Sequence, residues 1–184
     1  MAGEGSRPPL SSADTTICCT PARVVTSRCV NPASCRDCAA PRLLREAGSG
    51  LQPAGRAGCH VAASWWPSAG VAVVPADLPC LSSRAVTQVL QLGQRGDGAS
   101  VPDRALTGTT VVVCPAGRPM AAQYGPGSAA EHRDLGRRSL EDAPLRARHD
   151  VDTLADLWAA ATVGLGARTV AQVAALERQG PLTT

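Results

Sequence analysis

The stretch that decides the fold is VAVVPADLP, residues 71–79, a continuous apolar run that ends in an aspartate between two prolines. Four consecutive apolar residues, three of them valines, are typical of a strand buried on both faces of a parallel sheet. Ligands of open α/β sheets bind at the carboxyl ends of the strands, so Asp77 is a candidate functional residue. Aspartate beside proline is also common in plain turns, and the position alone leaves both interpretations open.

Downstream of this strand, stretches with the period of helices alternate with short apolar runs. Ser82 or Ser83 is a suitable N-cap for the first helix, and Asp152 or Thr153 for a later one. The predicted helices cover residues 82–92, 128–138, 153–163 and 169–178, and the predicted strands cover 99–102 and 109–114, with a short extended segment at 145–151. This alternation predicts an α/β domain with a mostly parallel sheet over residues 70–184.

The first 69 residues differ from the rest of the 184-residue chain, because no stretch of them repeats with a helix or strand period. They are rich in Cys, Pro, Gly and Arg and hold six of the eight cysteines. We interpret residues 1–69 as an irregular segment: a linker, a disordered arm or the product of out-of-frame translation. Cys29, Cys35, Cys38 and His60 form a possible zinc set, but their spacing departs from the usual ligand pairs.

The charge balance restricts the possible partners. The net charge of +3 is too small to indicate nucleic-acid binding, and all 18 basic residues are arginines, so no lysine can hold a phosphate. No apolar run approaches the roughly 20 residues that span a bilayer, and residues 1–13 lack a signal-peptide core. We therefore expect a cytoplasmic protein without nucleic-acid or membrane partners, of undefined oligomeric state.

A pair of aspartates, Asp150 and Asp152, is the second candidate for chemistry. Side chains alternate along an extended chain, so both carboxylates can face the same divalent cation. Helix capping is the alternative, since Asp152 or Thr153 precedes an apolar helix with Asp156 in its first turn. Capping accounts for Asp152 but leaves Asp150 unexplained.

Two further segments combine glycine with hydroxyl side chains. Thr107-Gly108-Thr109-Thr110 suits contact with a phosphate or carboxylate, although threonines are also ordinary strand residues. Gly125-Pro126-Gly127-Ser128 precedes a predicted helix, where backbone N–H groups can approach an anion. A plain turn with Ser128 as the N-cap explains the second segment equally well.

Taken in order, these pieces resemble the 2-phospho-L-lactate/phosphoenolpyruvate guanylyltransferase family of coenzyme F-420 biosynthesis. The resemblance covers about residues 71–163 and rests on VAVVPADLP (71–79), Asp103-Arg104, TGTT (107–110), YGPGSAAEH (124–132), DVDT (150–153) and Asp156-Leu157. It implies a Rossmann-like nucleotidyltransferase sheet, similar to that of sugar-nucleotide transferases. The implied reaction joins GTP to phosphoenolpyruvate or 2-phospho-L-lactate and releases pyrophosphate.

The resemblance also implies roles for individual residues. Asp77, Asp150 and Asp152 would act in catalysis by holding Mg²⁺, and Thr110, Gly125 and Ser128 would bind the three-carbon acid. The family's N-terminal nucleotide loop carries lysines, and this chain has none. An alternative is therefore a non-catalytic remnant that binds the phosphorylated acid but lacks a working GTP site.

Overall fold

The computed structural model describes residues 15–20, 23–27, 42–44, 51–65, 67–118 and 122–178. Its strands are β1 (Thr15–Thr20), β2 (Arg23–Ser27), β3 (Arg42–Leu44), β4 (Val71–Pro75), β5 (Ala99–Pro102), β6 (Thr109–Cys114) and β7 (Arg138–Ser139). Its helices are α1 (Leu51–Trp65), α2 (Ser83–Gly93), α3 (Ser128–Asp134), α4 (Leu154–Val163) and α5 (Ala167–Glu177), with a 3₁₀ turn at Leu145–Ala147. The α/β class is confirmed.

The seven strands form one mixed sheet in the order β3-β2-β1-β4-β6-β5-β7. Only the pairs β1–β4 and β5–β7 are parallel, whereas β6 runs antiparallel to both β4 and β5. The prediction of a mostly parallel sheet was therefore wrong. The short loop between β5 and β6 returns the chain directly beside itself, which requires an antiparallel pair. Apolar runs such as those of β4 and β6 do not reveal strand direction, because both are buried along their whole length.

Most predicted elements after residue 70 are present, with two corrections. Helix α3 ends at Asp134 instead of residue 138, because Gly136 adopts φ +76° and turns the chain toward β7. The segment predicted to be extended at 145–151 begins with the 3₁₀ turn that follows Pro144. Helix α4 begins after Thr153, which forms a capping box with Asp156.

Strands β1, β2 and β3 and helix α1 correct the prediction that residues 1–69 are irregular, and β1 pairs with β4 in the sheet. The buried side of α1 is built from small residues, Ala54, Cys59 and Ala62. Pro53 is tolerated in the first turn of α1, because N–H groups at the start of a helix have no acceptor within the helix. The small residues let α1 lie close to β4, where a Cβ added at Gly55 would stand 3.6 Å from Val73 Cγ1.

The possible zinc set cannot be assembled from the described residues. Cys29, Cys35 and Cys38 lie outside them, and His60 is an exposed residue of α1. In the described part of the chain, no helix is long and apolar enough to cross a membrane.

The core on one side of the sheet packs α2 against β4, β5 and β6. Its buried residues include Val89 and Leu90 of α2 and Val101, Val111 and Val113 of the strands. This packing fixes the ends of β4, β5 and β6. The loops that follow β4 and β6 carry Asp77 and Gly125, and Thr110 lies at the start of β6 itself.

Candidate active site

A cleft of about 350 Å³ lies where β4 ends and β6 begins. Because these two strands are antiparallel, the carboxyl end of one meets the amino end of the other. The cleft is lined by Leu51, Pro75, Asp77, Asp103, Thr107, Gly108, Thr109, Thr110, Tyr124, Gly125, Pro126, Asp150 and Asp152. Five of the six predicted site residues therefore share one cleft, and Ser128 lies behind its wall.

Four aspartates face this cleft, and no arginine or histidine lines it among the described residues. Desolvation by the surrounding protein raises the pKa of Asp77 even though part of this residue is exposed; its own backbone N–H opposes the rise and Asp152 adds to it. Desolvation also raises the pKa of Asp150, with its own backbone opposing and the carboxylates of Asp103, Asp152 and Asp77 adding. A cluster of carboxylates that repel one another favours binding of a cation.

Within the described ranges, no three His, Cys, Asp or Glu side chains are close enough together to hold a metal ion alone. A metal ion in this cleft would therefore need ligands beyond these side chains. Mg²⁺ is usually held by one or two carboxylates, with water and substrate phosphates completing its octahedron.

The two acidic segments are tied together through the backbone. The Val151 N–H donates to the carbonyl oxygen of Asp77 at 3.1 Å, which sets the Asp150–Asp152 segment beside the end of β4. Thr153, and not Asp152, caps helix α4: its hydroxyl accepts from the Asp156 N–H at 3.2 Å. Asp152 is therefore not needed as a cap and stays exposed at the cleft.

Asp103 is a cleft residue for which the sequence predicted no role. Its carboxylate accepts the N–H groups of Thr107 at 2.9 Å and Gly108 at 2.8 Å and so closes the loop between β5 and β6. Leu106 in this loop has φ +64°, a backbone conformation that costs energy for a residue with a side chain. The Asp103 carboxylate therefore fixes a strained loop that forms one wall of the cleft.

We expect Gly108→Ala to weaken both this loop and substrate binding. A Cβ at residue 108 would stand 2.6 Å from Asp103 Oδ2, and that oxygen cannot retreat without losing its backbone hydrogen bonds. The expected cost is about 1–3 kcal/mol of folding free energy, measured by denaturant unfolding. Gly166→Ala is a matched control for added bulk at an exposed glycine with an ordinary φ of −66°, where the new Cβ would stand 3.4 Å from the Pro79 carbonyl oxygen. Equal stability of the two variants would contradict the role given to Asp103.

The predicted acid-binding residues occupy different positions. Thr110 is buried, and its hydroxyl donates to the Ala147 carbonyl at 2.6 Å, which ties β6 to the 3₁₀ turn. Gly125 lies in the cleft wall with φ +102°, a conformation that favours glycine. Ser128 is 1% exposed, and its hydroxyl donates to Thr109 Oγ1 at 3.1 Å.

The first N–H groups of α3 already have partners within the protein. Ser128 N–H donates to the Gly125 carbonyl and Ala129 N–H to the Thr107 carbonyl, at 3.2 and 3.1 Å. These bonds join the segment 107–110 to the turn 125–128 that precedes α3. The N–H groups of Ser128 and Ala129 are therefore not free to bind an anion in the cleft.

A buried histidine, His132, lies behind the wall and was not singled out from the sequence. Its Nδ1 lies 3.0 Å from Thr109 Oγ1, and its Nε2 accepts the Gln123 N–H at 3.1 Å. Burial, with the Arg137 guanidinium as the second cause, lowers the pKa of His132 to about 4, against a smaller opposing effect of the Ser128 backbone. Its position four residues after Ser128 in a short helix was the available signal, since residues so spaced lie on one face.

Comparison with known proteins identifies the family, although no protein-family model matches the chain. A Streptomyces avermitilis protein named phosphoenolpyruvate guanylyltransferase is 36% identical over 190 residues, which cover 98% of this chain and 88% of that protein. Proteins of the same name from Streptomyces coelicolor and Thermomonospora curvata are 38% and 37% identical, over 71% and 72% of this chain. The chain spans 62% and 58% of the lengths of these two relatives.

The first of these matches also extends the resemblance drawn from the motifs. Because it covers 98% of the chain, similarity is not confined to residues 71–163 and reaches into residues 1–69, where no family motif was recognised. Sequence identity above 30% over nearly the whole chain, together with the cleft that unites the predicted motifs, confirms the family indicated by the sequence. The chain belongs to the phosphoenolpyruvate guanylyltransferase family.

Proposed function

We propose that this chain transfers a guanylyl group from GTP to phosphoenolpyruvate in coenzyme F-420 biosynthesis. An oxygen of the acid's phosphate attacks the α-phosphorus of GTP and forms a new phosphoanhydride bond. The bond from the α-phosphorus to the α,β-bridging oxygen breaks, and pyrophosphate leaves with that oxygen and its electron pair. The name carried by the relatives supports phosphoenolpyruvate as the acceptor over 2-phospho-L-lactate.

The observation that carries this proposal is the acidic cleft. Both substrates are anions, and a cleft lined by four aspartates and, among the described residues, by no arginine or histidine would repel them. We assign Mg²⁺ to the aspartates Asp77, Asp150 and Asp152, one or two of which would bind the ion directly while water and the triphosphate supply its remaining ligands. Bound there, Mg²⁺ would neutralise phosphate charge and favour in-line attack.

The acid substrate is assigned to the opposite wall of the cleft. Gly125 lets the backbone come close to a ligand, because nothing lies within 4 Å of where its Cβ would stand. Thr110 supports this wall through its bond to Ala147, and Ser128 supports it through Thr109. In this proposal the mixed sheet is a Rossmann-like nucleotidyltransferase sheet, with GTP entering beside the start of α1, where Leu51 reaches the cleft.

Pyrophosphate release tests the proposal directly. Purified protein with GTP, phosphoenolpyruvate and Mg²⁺ is expected to release pyrophosphate, and excess EDTA is expected to remove at least about 99% of the rate. A parallel reaction with 2-phospho-L-lactate determines the acceptor. Replacing GTP with ATP tests whether the enzyme selects the guanine base. Mass spectrometry identifies the product in which the guanylyl group is joined to the acid.

The remnant hypothesis predicts a different result. Without lysine, a working GTP site must hold phosphate through arginine, backbone N–H groups, hydroxyls or metal. Similarity over 98% of the chain supports a working transferase. Calorimetric binding of phosphoenolpyruvate without any binding of GTP in the presence of Mg²⁺ would instead support the remnant.

A further inference from the structure

Three side chains behind the cleft wall form a hydrogen-bonded cluster, Thr109, Ser128 and His132. Thr109 Oγ1 is at its centre, 3.0 Å from His132 Nδ1 and 3.1 Å from Ser128 Oγ. His132 is 0% exposed and Ser128 is 1% exposed, whereas Thr109 also lines the cleft. Thr109 is therefore the member of this cluster that can touch a ligand.

The backbone of Gln123 determines which nitrogen of His132 carries the proton. The Gln123 N–H can only donate, so His132 Nε2 at 3.1 Å must be an acceptor without a hydrogen. A neutral imidazole then carries its hydrogen on Nδ1 and donates it to Thr109 Oγ1. The low pKa of His132 keeps the ring neutral at physiological pH.

The hydroxyl of Thr109 is thereby oriented by its neighbours. Its oxygen accepts from His132 Nδ1 and from the Ser128 hydroxyl, which occupies both lone pairs. Its own hydrogen has no recorded acceptor among the described residues, and the cleft is the open space beside it.

We propose that His132 is a positioning residue that directs the Thr109 hydroxyl into the cleft as a hydrogen-bond donor to an oxygen of the phosphorylated acid. This inference rests on the proposed function for the identity of the acid. It assigns the direct contact to Thr109, places Ser128 behind it, and gives the buried histidine a role that packing alone would not require. An anionic acceptor makes such a bond about twice as strong as a neutral one.

Two amide variants of His132 separate positioning from packing. In His132→Asn the side-chain NH₂ replaces Nδ1–H, so the donor to Thr109 is kept and the acceptor for Gln123 is lost. In His132→Gln the amide oxygen takes the place of Nε2, so the acceptor is kept and the donor is lost. We expect H132Q to raise KM for phosphoenolpyruvate about tenfold or more, with KM for GTP unchanged, and H132N to stay within about threefold of wild type.

Thr109 variants test the contact itself. Thr109→Val removes the hydroxyl at constant shape and is expected to raise KM for phosphoenolpyruvate at least as much as H132Q, while Thr109→Ser restores most of the loss. The double variant H132Q/T109V is expected to be no worse than T109V, because His132 acts through Thr109. Equal losses in H132N and H132Q, or additive losses in the double variant, would show that His132 is merely structural.

A measurement without substrate keeps this inference separate from the proposed function. Nitrogen NMR of the folded wild-type protein is expected to show His132 as a neutral Nδ1–H tautomer at pH 7. An Nε2–H tautomer or a charged ring would overturn the inference even if the enzyme is active. If wild-type protein releases no pyrophosphate, the proposed function fails, and phosphoenolpyruvate binding by calorimetry to wild type, H132N and H132Q still decides the positioning role.

Discussion

Asparagine in place of Asp150 is expected to lower guanylyl transfer about 1000-fold and, without metal, to raise the melting temperature by about 2 °C. If Asp150 holds Mg²⁺ as proposed, loss of its carboxylate removes roughly 4 kcal/mol of transition-state stabilisation. The same carboxylate opposes folding, because burial and the charges of Asp103, Asp152 and Asp77 raise its pKa. Solvent screening at this half-buried position limits the gain in stability to about 0.5–1 kcal/mol.

The sign of this effect follows from proton linkage. A carboxyl group whose pKa is higher in the folded than in the unfolded protein binds its proton more tightly when folded. Its contribution is most favourable below the unfolded pKa and is lost as the pH rises through the raised folded pKa. At neutral pH the ionised Asp150 therefore lowers the free energy of unfolding, and asparagine at this position removes that destabilisation.

Thermal unfolding and pyrophosphate release on the same preparations measure both effects. Added Mg²⁺ is expected to stabilise the wild-type protein more than Asp150→Asn, because a ligand that binds only the folded state raises its stability. Asp142→Asn is a matched control at an exposed aspartate outside the cleft lining. Activity of Asp150→Asn within tenfold of wild type would remove Asp150 from the metal site.

The acidic half of the cleft was predictable because its signals are local. A buried strand ends beside Asp77, and two aspartates spaced by one residue precede a capped helix. Each pattern has its own physical cause, the edge of a sheet or the start of a helix. Their meeting depends on a long-range bond, from Val151 N–H to the Asp77 carbonyl, which no local pattern contains.

The parts that were not predictable depend on tertiary packing. Helix α1 packs Ala54 and Ala62 against β4, but it contains Pro53, Gly55 and Gly58, whose low helix propensity hides it in the sequence. The direction of β6 is set by the loop that Asp103 closes, through bonds to backbone groups four and five residues later. The role of His132 depends on a hydrogen bond from the backbone of Gln123, in the connection between β6 and α3, and no sequence pattern indicates that bond.

Acidification from pH 7 to pH 5 is expected to lower the free energy of unfolding by about 2 kcal/mol through His132 alone. The pKa of this ring is lowered to about 4 by burial and by Arg137, whereas an unfolded histidine titrates near 6.5. The unfolded protein therefore binds its proton first. The stabilising contribution is complete above about pH 6.5 and is lost as the pH falls toward 4.

Urea unfolding at several pH values between 7.5 and 5 measures this slope in a range above the ordinary carboxylate pKa. As the pH falls, protonation of Asp77 and Asp150, whose pKa values are raised by burial, would oppose this trend, and Asp156, whose pKa is lowered by its bonds to Thr153, would add to it. His132→Asn is expected to be less stable at pH 7.5 but to show a nearly flat profile. The control is His60→Gln, at an exposed site in α1, which is expected to keep the wild-type dependence of unfolding free energy on pH. If His132→Asn also kept that dependence, His132 would not be neutral and buried, and its donation to Thr109 would lose its basis.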